Sequence, residues 1–152
     1  MPTPATARTA TIEEVAETLL RRASQLGRLL LRAGSRSLSR AEASLLATLT
    51  DRPRRITELA ETEALAQPSV TQLVDRLQRR GLVDRARSDS DGRVVLVSVT
   101  ERGRAELERM RAEHRALLRD HARGLSEADV AALLGATDAL GRMIDAVQAD
   151  PR

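Results

Sequence analysis

Arg85, Arg87 and Arg93 surround an Asp91-Gly92 turn, and Gln67, Ser69, Thr71, Gln72 and Arg76 recur along the segment that opens beside Pro68. These residue types share one chemistry. A guanidinium offers a two-pronged donor to a phosphate or a guanine edge, a Gln amide pairs with base edges, and Ser and Thr hydroxyls suit phosphate oxygens. Thr57 stands at the start of another short helical pattern, where a phosphate would also be welcome. Reaction chemistry has no comparable set. There is no Cys, no Gly-rich phosphate cradle and no Ser/His/Asp arrangement at a recognised spacing. His114 and His121 share a helix face but sit about 10 Å apart along it, too far to hold one ion. Neither an enzyme, nor a metal site, nor a resident cofactor is expected.

Positioning those side chains requires a particular succession of elements. A long helix is expected over about 11–33, with Ile12, Val15, Leu19, Leu26 and Leu30 at helical spacing. Ser39 and Glu42 have capping-box spacing for a second helix over about 40–50. Thr57 is expected to cap a short third helix reaching about Glu63, with Ala64-Leu65-Ala66 as the turn. The fourth helix, about 67–80, carries Pro68 in its first turn and buries Val70, Leu73, Val74 and Leu77; Gly81 ends it. From Leu82 the period becomes two, and Asp91-Gly92 before Val94–Val99 reads as a hairpin spanning about 83–99. Thr100 and Ser126 then open two further helices, about 101–123 and 127–148. The expected class is mainly α (α+β): about six helices with a two-stranded hairpin, a winged helix-turn-helix flanked by helices from both termini. The expected division is a flexible stretch over 1–10, helical pairing regions over 11–36 and 101–150, and a reading head over 38–100.

Composition narrows the partner. The 152 residues contain no Phe, Tyr or Trp, which removes base stacking on aromatic rings and disfavours single-stranded nucleic acid. All 25 basic residues are Arg, and the net charge is only +3, so distribution matters more than the total. Residues 76–104 hold 8 Arg against 4 acids, whereas 105–152 hold 7 Arg against 9 acids. Positive charge thus collects on the fourth helix and the hairpin. The first ten residues lack a signal-like apolar core and no run approaches a membrane span, so a cytoplasmic protein without membrane contact is expected.

Gln67 through Leu77, then Arg80-Gly81-Leu82-Val83, Asp91-Gly92-Arg93 and Ser98-Val99-Thr100-Glu101-Arg102-Gly103, resemble the MarR family of bacterial transcriptional regulators. The resemblance implies a dimeric winged-helix repressor, or less often an activator, that binds a short inverted repeat of double-stranded DNA. It also implies release by a small effector in many members. Arg93 would then enter a minor groove from the wing, Asp91 would orient a wing Arg, and Arg85 and Arg87 would touch phosphate or pair with Asp91. Gln67, Ser69, Thr71, Gln72 and Arg76 would face the DNA, with Gln72 and Arg76 reading base edges; Arg76 pairing with Asp75 or Asp84 is the bland alternative. A homodimer sharing its terminal helices is expected, set against packing of those helices within one chain alone. A small anionic or apolar ligand would sit near Arg28, Arg32 or His114. The other functional class in play is a winged-helix protein-interaction module without sequence-specific DNA binding.

Two positions depart from the family pattern. Glu63 stands where an apolar residue is usual, and Ala64 where the turn commonly has Gly. A left-handed Ala costs about 1–2 kcal/mol, so a turn of altered shape or length is expected.

Overall fold

A computed structural model describes residues 4–33, 37–87 and 94–150. Its elements are α1 (Pro4–Ala33), α2 (Arg40–Leu49), α3 (Ile56–Thr62), α4 (Gln67–Arg79), β1 (Val83–Arg87), β2 (Val95–Val99), α5 (Glu101–Ala122) and α6 (Glu127–Ala149). α1 begins seven residues before the expected Thr11, because the Ala- and Thr-containing stretch from Pro4 continues the helix. Pro4 itself sits in the first turn, where its missing N–H breaks no bond. The chain divides into two compact units, one up to His114 and one from Arg115 onward.

The first unit has a single aliphatic core. Leu45, Leu46 and Leu49 from α2, Leu59 from α3, Val70, Leu73, Val74 and Leu77 from α4, and Val83 and Val97 from the hairpin are all fully or nearly fully buried. The α4 stripe therefore packs as its i, i+3, i+4, i+7 spacing dictates. Leu107 and Met110 bring the first half of α5 onto the same cluster.

Local chemistry sets the joints. Ser39 and Glu42 close the expected capping box: the Glu42 N–H donates to Ser39 Oγ at 3.3 Å and the Ser39 N–H donates to Glu42 Oε2 at 2.8 Å. α4 ends in a Schellman turn at Gly81, whose φ is 69°, with the Leu82 N–H reaching back to the Leu77 carbonyl at 2.9 Å. Thr100 opens α5 by accepting from the Gly103 N–H at 3.0 Å while its hydroxyl donates to the Gly81 carbonyl at 2.8 Å. Gly103 has no room for a side chain, since a Cβ there would lie 2.1 Å from the Leu82 carbonyl oxygen. Ser126 caps α6, accepting from the Asp129 N–H at 3.1 Å.

β1 and β2 are antiparallel, with Val83 opposite Val99, Arg85 opposite Val97 and Arg87 opposite Val95. The outer edge of β2 is also engaged: Arg54 and Val97 exchange both backbone hydrogen bonds, at 3.0 and 2.8 Å. The hairpin is thereby tied to the segment that leads into α3.

Two sequence expectations are corrected here, and the unusual Glu63 finds a partner. The N-cap of α3 is Arg55, not Thr57; the Arg55 N–H is satisfied by Glu58 Oε2 at 2.9 Å, which places Thr57 inside the first turn. The α3–α4 turn keeps its ordinary shape despite lacking Gly. Ala64 adopts φ 51°, the Leu65 N–H bonds the Ala60 carbonyl at 3.0 Å, and the Ala64 N–H bonds the Glu61 carbonyl at 3.2 Å. The hydrogen-bond pattern of a Schellman turn thus overrides the intrinsic cost of a left-handed Ala. Glu63 is accommodated by polarity rather than burial: it is half-buried and accepts the Thr48 hydroxyl at 2.7 Å, linking α2 to the turn.

Helices α1 and α6 behave differently from the core. Ile12, Val15, Leu20, Leu26 and Leu29 of α1 are exposed, and α6 buries no residue, leaving Val130, Leu133, Leu134, Ile144 and Val147 open. Among the described residues no helix is long and apolar enough to cross a membrane.

Candidate nucleic-acid interface

Burial of Val70, Leu73, Val74 and Leu77 forces the opposite side of α4 outward. Ser69, Gln72, Arg76 and Arg79 lie on that side at spacings of three and four, and all are exposed. Arg76 forms no ion pair among the described residues; Asp75 is engaged instead by Arg85 Nη2 at 2.6 Å. The bland alternative for Arg76, pairing with its acidic neighbour, does not occur. Among the described residues its guanidinium and the Gln72 amide stand exposed side by side. Arg79 extends the same stripe. Sequence reading passed over it, although its spacing of three from Arg76 was sufficient to find it.

A groove of about 420 Å³ lies where the starts of α3, α4 and β2 converge, lined by Arg55, Ile56, Thr57, Gln67, Val94 and Val95. It brings Thr57 and Gln67 together, residues ten apart in the chain. Arg55 is an addition to the expected set; it precedes α3 with an exposed side chain, which the sequence, placing the cap at Thr57, did not signal. Arg52, Arg54 and Arg55 also surround Glu58. The Arg55 backbone N–H, outweighing a small effect of burial and helped by those three charges, holds the Glu58 carboxyl below its ordinary value. Glu58 therefore stays ionised and leaves a net positive border on the groove.

Two residues expected at the interface are occupied elsewhere. Thr71 is half-buried, and its hydroxyl donates to the Gln67 carbonyl at 3.0 Å, so its proton serves the helix rather than a ligand. Arg85 follows Val83 by two residues and so shares its inward face, which brings the guanidinium onto Asp75. Arg87, at the end of β1, is exposed. Asp91, Gly92 and Arg93, the expected wing tip, lie outside the described residues.

A short helix, a second helix exposing a polar and basic stripe, and a hairpin packed beside it define a winged helix-turn-helix protein. The model of the MarR family matches residues 37–94, the span from α2 through β1 that stops short of β2. Over that span the chain is similar to the MarR family. It is 40% identical over 87 residues to the HTH-type transcriptional repressor IacR of Pseudomonas putida, a match covering 57% of this chain and 48% of that protein. The chain thus spans about half the length of that curated relative. The PcaV transcriptional regulator from Streptomyces coelicolor, solved in complex with its natural ligand, is 25% identical, with a TM-score of 0.57 over 85% of this chain and 91% of that one. A mutant of MarR from E. coli shares the fold at 22% identity, with a TM-score of 0.71 over 83% of this chain and 95% of the other.

Proposed function

We propose that this protein is a sequence-specific, double-stranded-DNA-binding transcriptional repressor that acts as a homodimer on a short inverted repeat. The observation that carries the reading is the exposed outward stripe of Ser69, Gln72, Arg76 and Arg79 on a helix whose other side is locked into the core. Such a helix can enter a major groove without unfolding anything, while the hairpin approaches the neighbouring groove. The groove at Arg55, Thr57 and Gln67 suits a backbone phosphate beside it. The repressor named IacR, matched at 40% identity, supports the direction of regulation.

Homodimerisation is supported by the terminal helices. α6 spans 23 residues without burying one, and α1 leaves Leu20, Leu26 and Leu29 exposed. An apolar face of that extent requires a partner, and a second copy supplies the same face by two-fold symmetry. That symmetry would present two α4 helices to successive major grooves.

A small effector is also part of this reading. A cavity of about 650 Å³ is lined by Leu31, Ser37, Leu38, Ser39, Arg40, Glu42 and Arg80. It offers the exposed Arg40 guanidinium to an anion beside an apolar wall, rather than the expected Arg28, Arg32 or His114, while Arg80 is engaged by Glu42. PcaV, described with its natural ligand, makes ligand response a reasonable extension to this chain.

The test is selection of duplexes from fragmented genomic DNA followed by titration against the selected and an unrelated duplex. Specific retention is expected, falling steeply with salt as phosphate counterions are released. Arg76→Ala is expected to weaken specific binding by about 1–3 kcal/mol. Failure to retain any duplex in dilute salt would leave a protein-docking role in its place.

A further inference from the structure

We propose that Asp75 and Arg85 form a brace that holds the hairpin at a set position against the recognition helix, and that Arg85 selects DNA sequence through this brace rather than by touching DNA. The inference rests on the DNA-binding reading above and deepens it. Arg85 Nη2 and Asp75 Oδ1 are 2.6 Å apart, an ion pair by proximity in which Nη2 is not aligned as a hydrogen-bond donor, with side chains 25% and 38% exposed. Among the described residues this is the only ion pair joining α4 to the hairpin. Half-burial reduces solvent screening, so the pair constrains geometry more than a surface pair would.

Both ends of the brace sit at points that matter. Asp75 immediately precedes Arg76 and lies three residues after Gln72, the two side chains placed to read base edges. Arg85 occupies the middle of β1, opposite Val97, which is itself bridged to Arg54 on its other edge. A two-stranded hairpin has little rigidity of its own. Its place beside α4 is held by the buried Val83 and Val97, by the backbone bridge from Val97 to Arg54, and by this pair, which alone among the described ion pairs reaches α4 itself. A second effect is electrostatic. Arg85 cancels an Asp carboxylate that would otherwise stand unpaired beside Arg76 and repel phosphates.

Simultaneous insertion of a helix and a wing into neighbouring grooves needs their separation to be fixed before binding. A free hairpin must be ordered by the DNA itself, and that cost falls on the specific complex, where both probes engage. Non-specific binding, driven by phosphate charge, depends on it much less. A brace is thus distinguished from a phosphate ligand by which kind of binding it supports.

The experiment uses a duplex that the unaltered protein selects from a random library, with an unrelated duplex of equal length as the reference. The ratio of the two affinities and the salt dependence of each are measured for Asp75→Asn, Arg85→Gln, the double variant and the charge-exchanged pair Asp75→Arg with Arg85→Asp. Each single variant is expected to lower the ratio about tenfold, the double variant no further than either single, and Arg85→Gln to leave the salt slope unchanged. Losses that add in the double variant would overturn the brace. So would an Arg85→Gln slope reduced by about 0.9, the signature of one lost phosphate contact. A merely structural pair would lower thermal stability without moving the ratio, which also overturns it. Should the exchanged pair not fold, the two singles and their double decide alone. Failure of the unaltered protein to select any duplex would instead remove the DNA-binding reading, and the brace with it.

Discussion

Arg80 and Glu42 tie the end of the recognition helix to the start of α2: Arg80 Nη1 stands 3.0 Å from Glu42 Oε1. The same guanidinium donates to the Ser37 carbonyl, and Glu42 also accepts the Ser39 N–H. Glu42 is the one charged residue among the buried positions of the described core, so its ionisation is coupled to folding.

That coupling sets an acid response. Burial works to raise the Glu42 carboxyl, but hydrogen bonds with Ser39 and the Arg80 charge outweigh it and hold the group below its ordinary value of 4.5. A carboxyl lowered on folding contributes stability above its unfolded value, and loses it as pH falls through the folded one. Urea unfolding followed from pH 6 down to pH 3, roughly spanning that window, is expected to show a shallower decline for Glu42→Gln than for the unaltered chain. Glu106, lowered chiefly by its hydrogen bond with Arg109 and then by Ser37, gives the same sign and sets the residual slope. Identical slopes for both proteins would show that the ion pair is not linked to folding.

Gly103 is required for contact rather than for flexibility. A methyl group at this position would meet the Leu82 carbonyl at 2.1 Å and the Val99 side chain at 2.9 Å. Both neighbours are held, Leu82 by its carbonyl accepting the Thr100 N–H at 3.1 Å. Gly103→Ala is expected to cost about 1–3 kcal/mol, read as a lowered midpoint in chemical denaturation. A loss below a few tenths would mean that α5 shifts freely away from the hairpin.

Ala64 presents the opposite case. It holds a left-handed conformation that strains any side chain, within a turn whose hydrogen bonds are complete. Ala64→Gly is expected to stabilise the protein by about 1 kcal/mol, after the added freedom of the unfolded Gly is subtracted. Thermal unfolding measures it, and a lowered midpoint would contradict the strain.

Leu134 is 67% exposed on α6 and stands among the apolar residues assigned to self-association. Leu134→Arg would bury an unpaired charge in a shared interface, at about 3 kcal/mol per copy. Sedimentation is expected to show a dimer for the unaltered chain and a monomer-shifted equilibrium for the variant. A dimer unaffected by the change would place the interface elsewhere.

Much of this molecule is legible in one dimension because its signals are periodic or local. The α4 stripe, the capping box of Ser39 and Glu42, the Gly81 stop and the change of period at Leu82 each follow from backbone geometry within a few residues. The outward position of Gln72 and Arg76 follows in turn, since a helix that buries one side must expose the other. Pairing of charges is not local. Whether Asp75 met Arg76, Arg85 or solvent depended on where β1 packs, and that was set by burial of Val83 beneath α4. The gathering of Arg55, Thr57 and Gln67 with Val94 and Val95 in one groove likewise arises from elements brought together across the chain. Spacing alone decides which way a side chain leaves its own helix or strand; what stands opposite it is decided when separate elements compete for the same core.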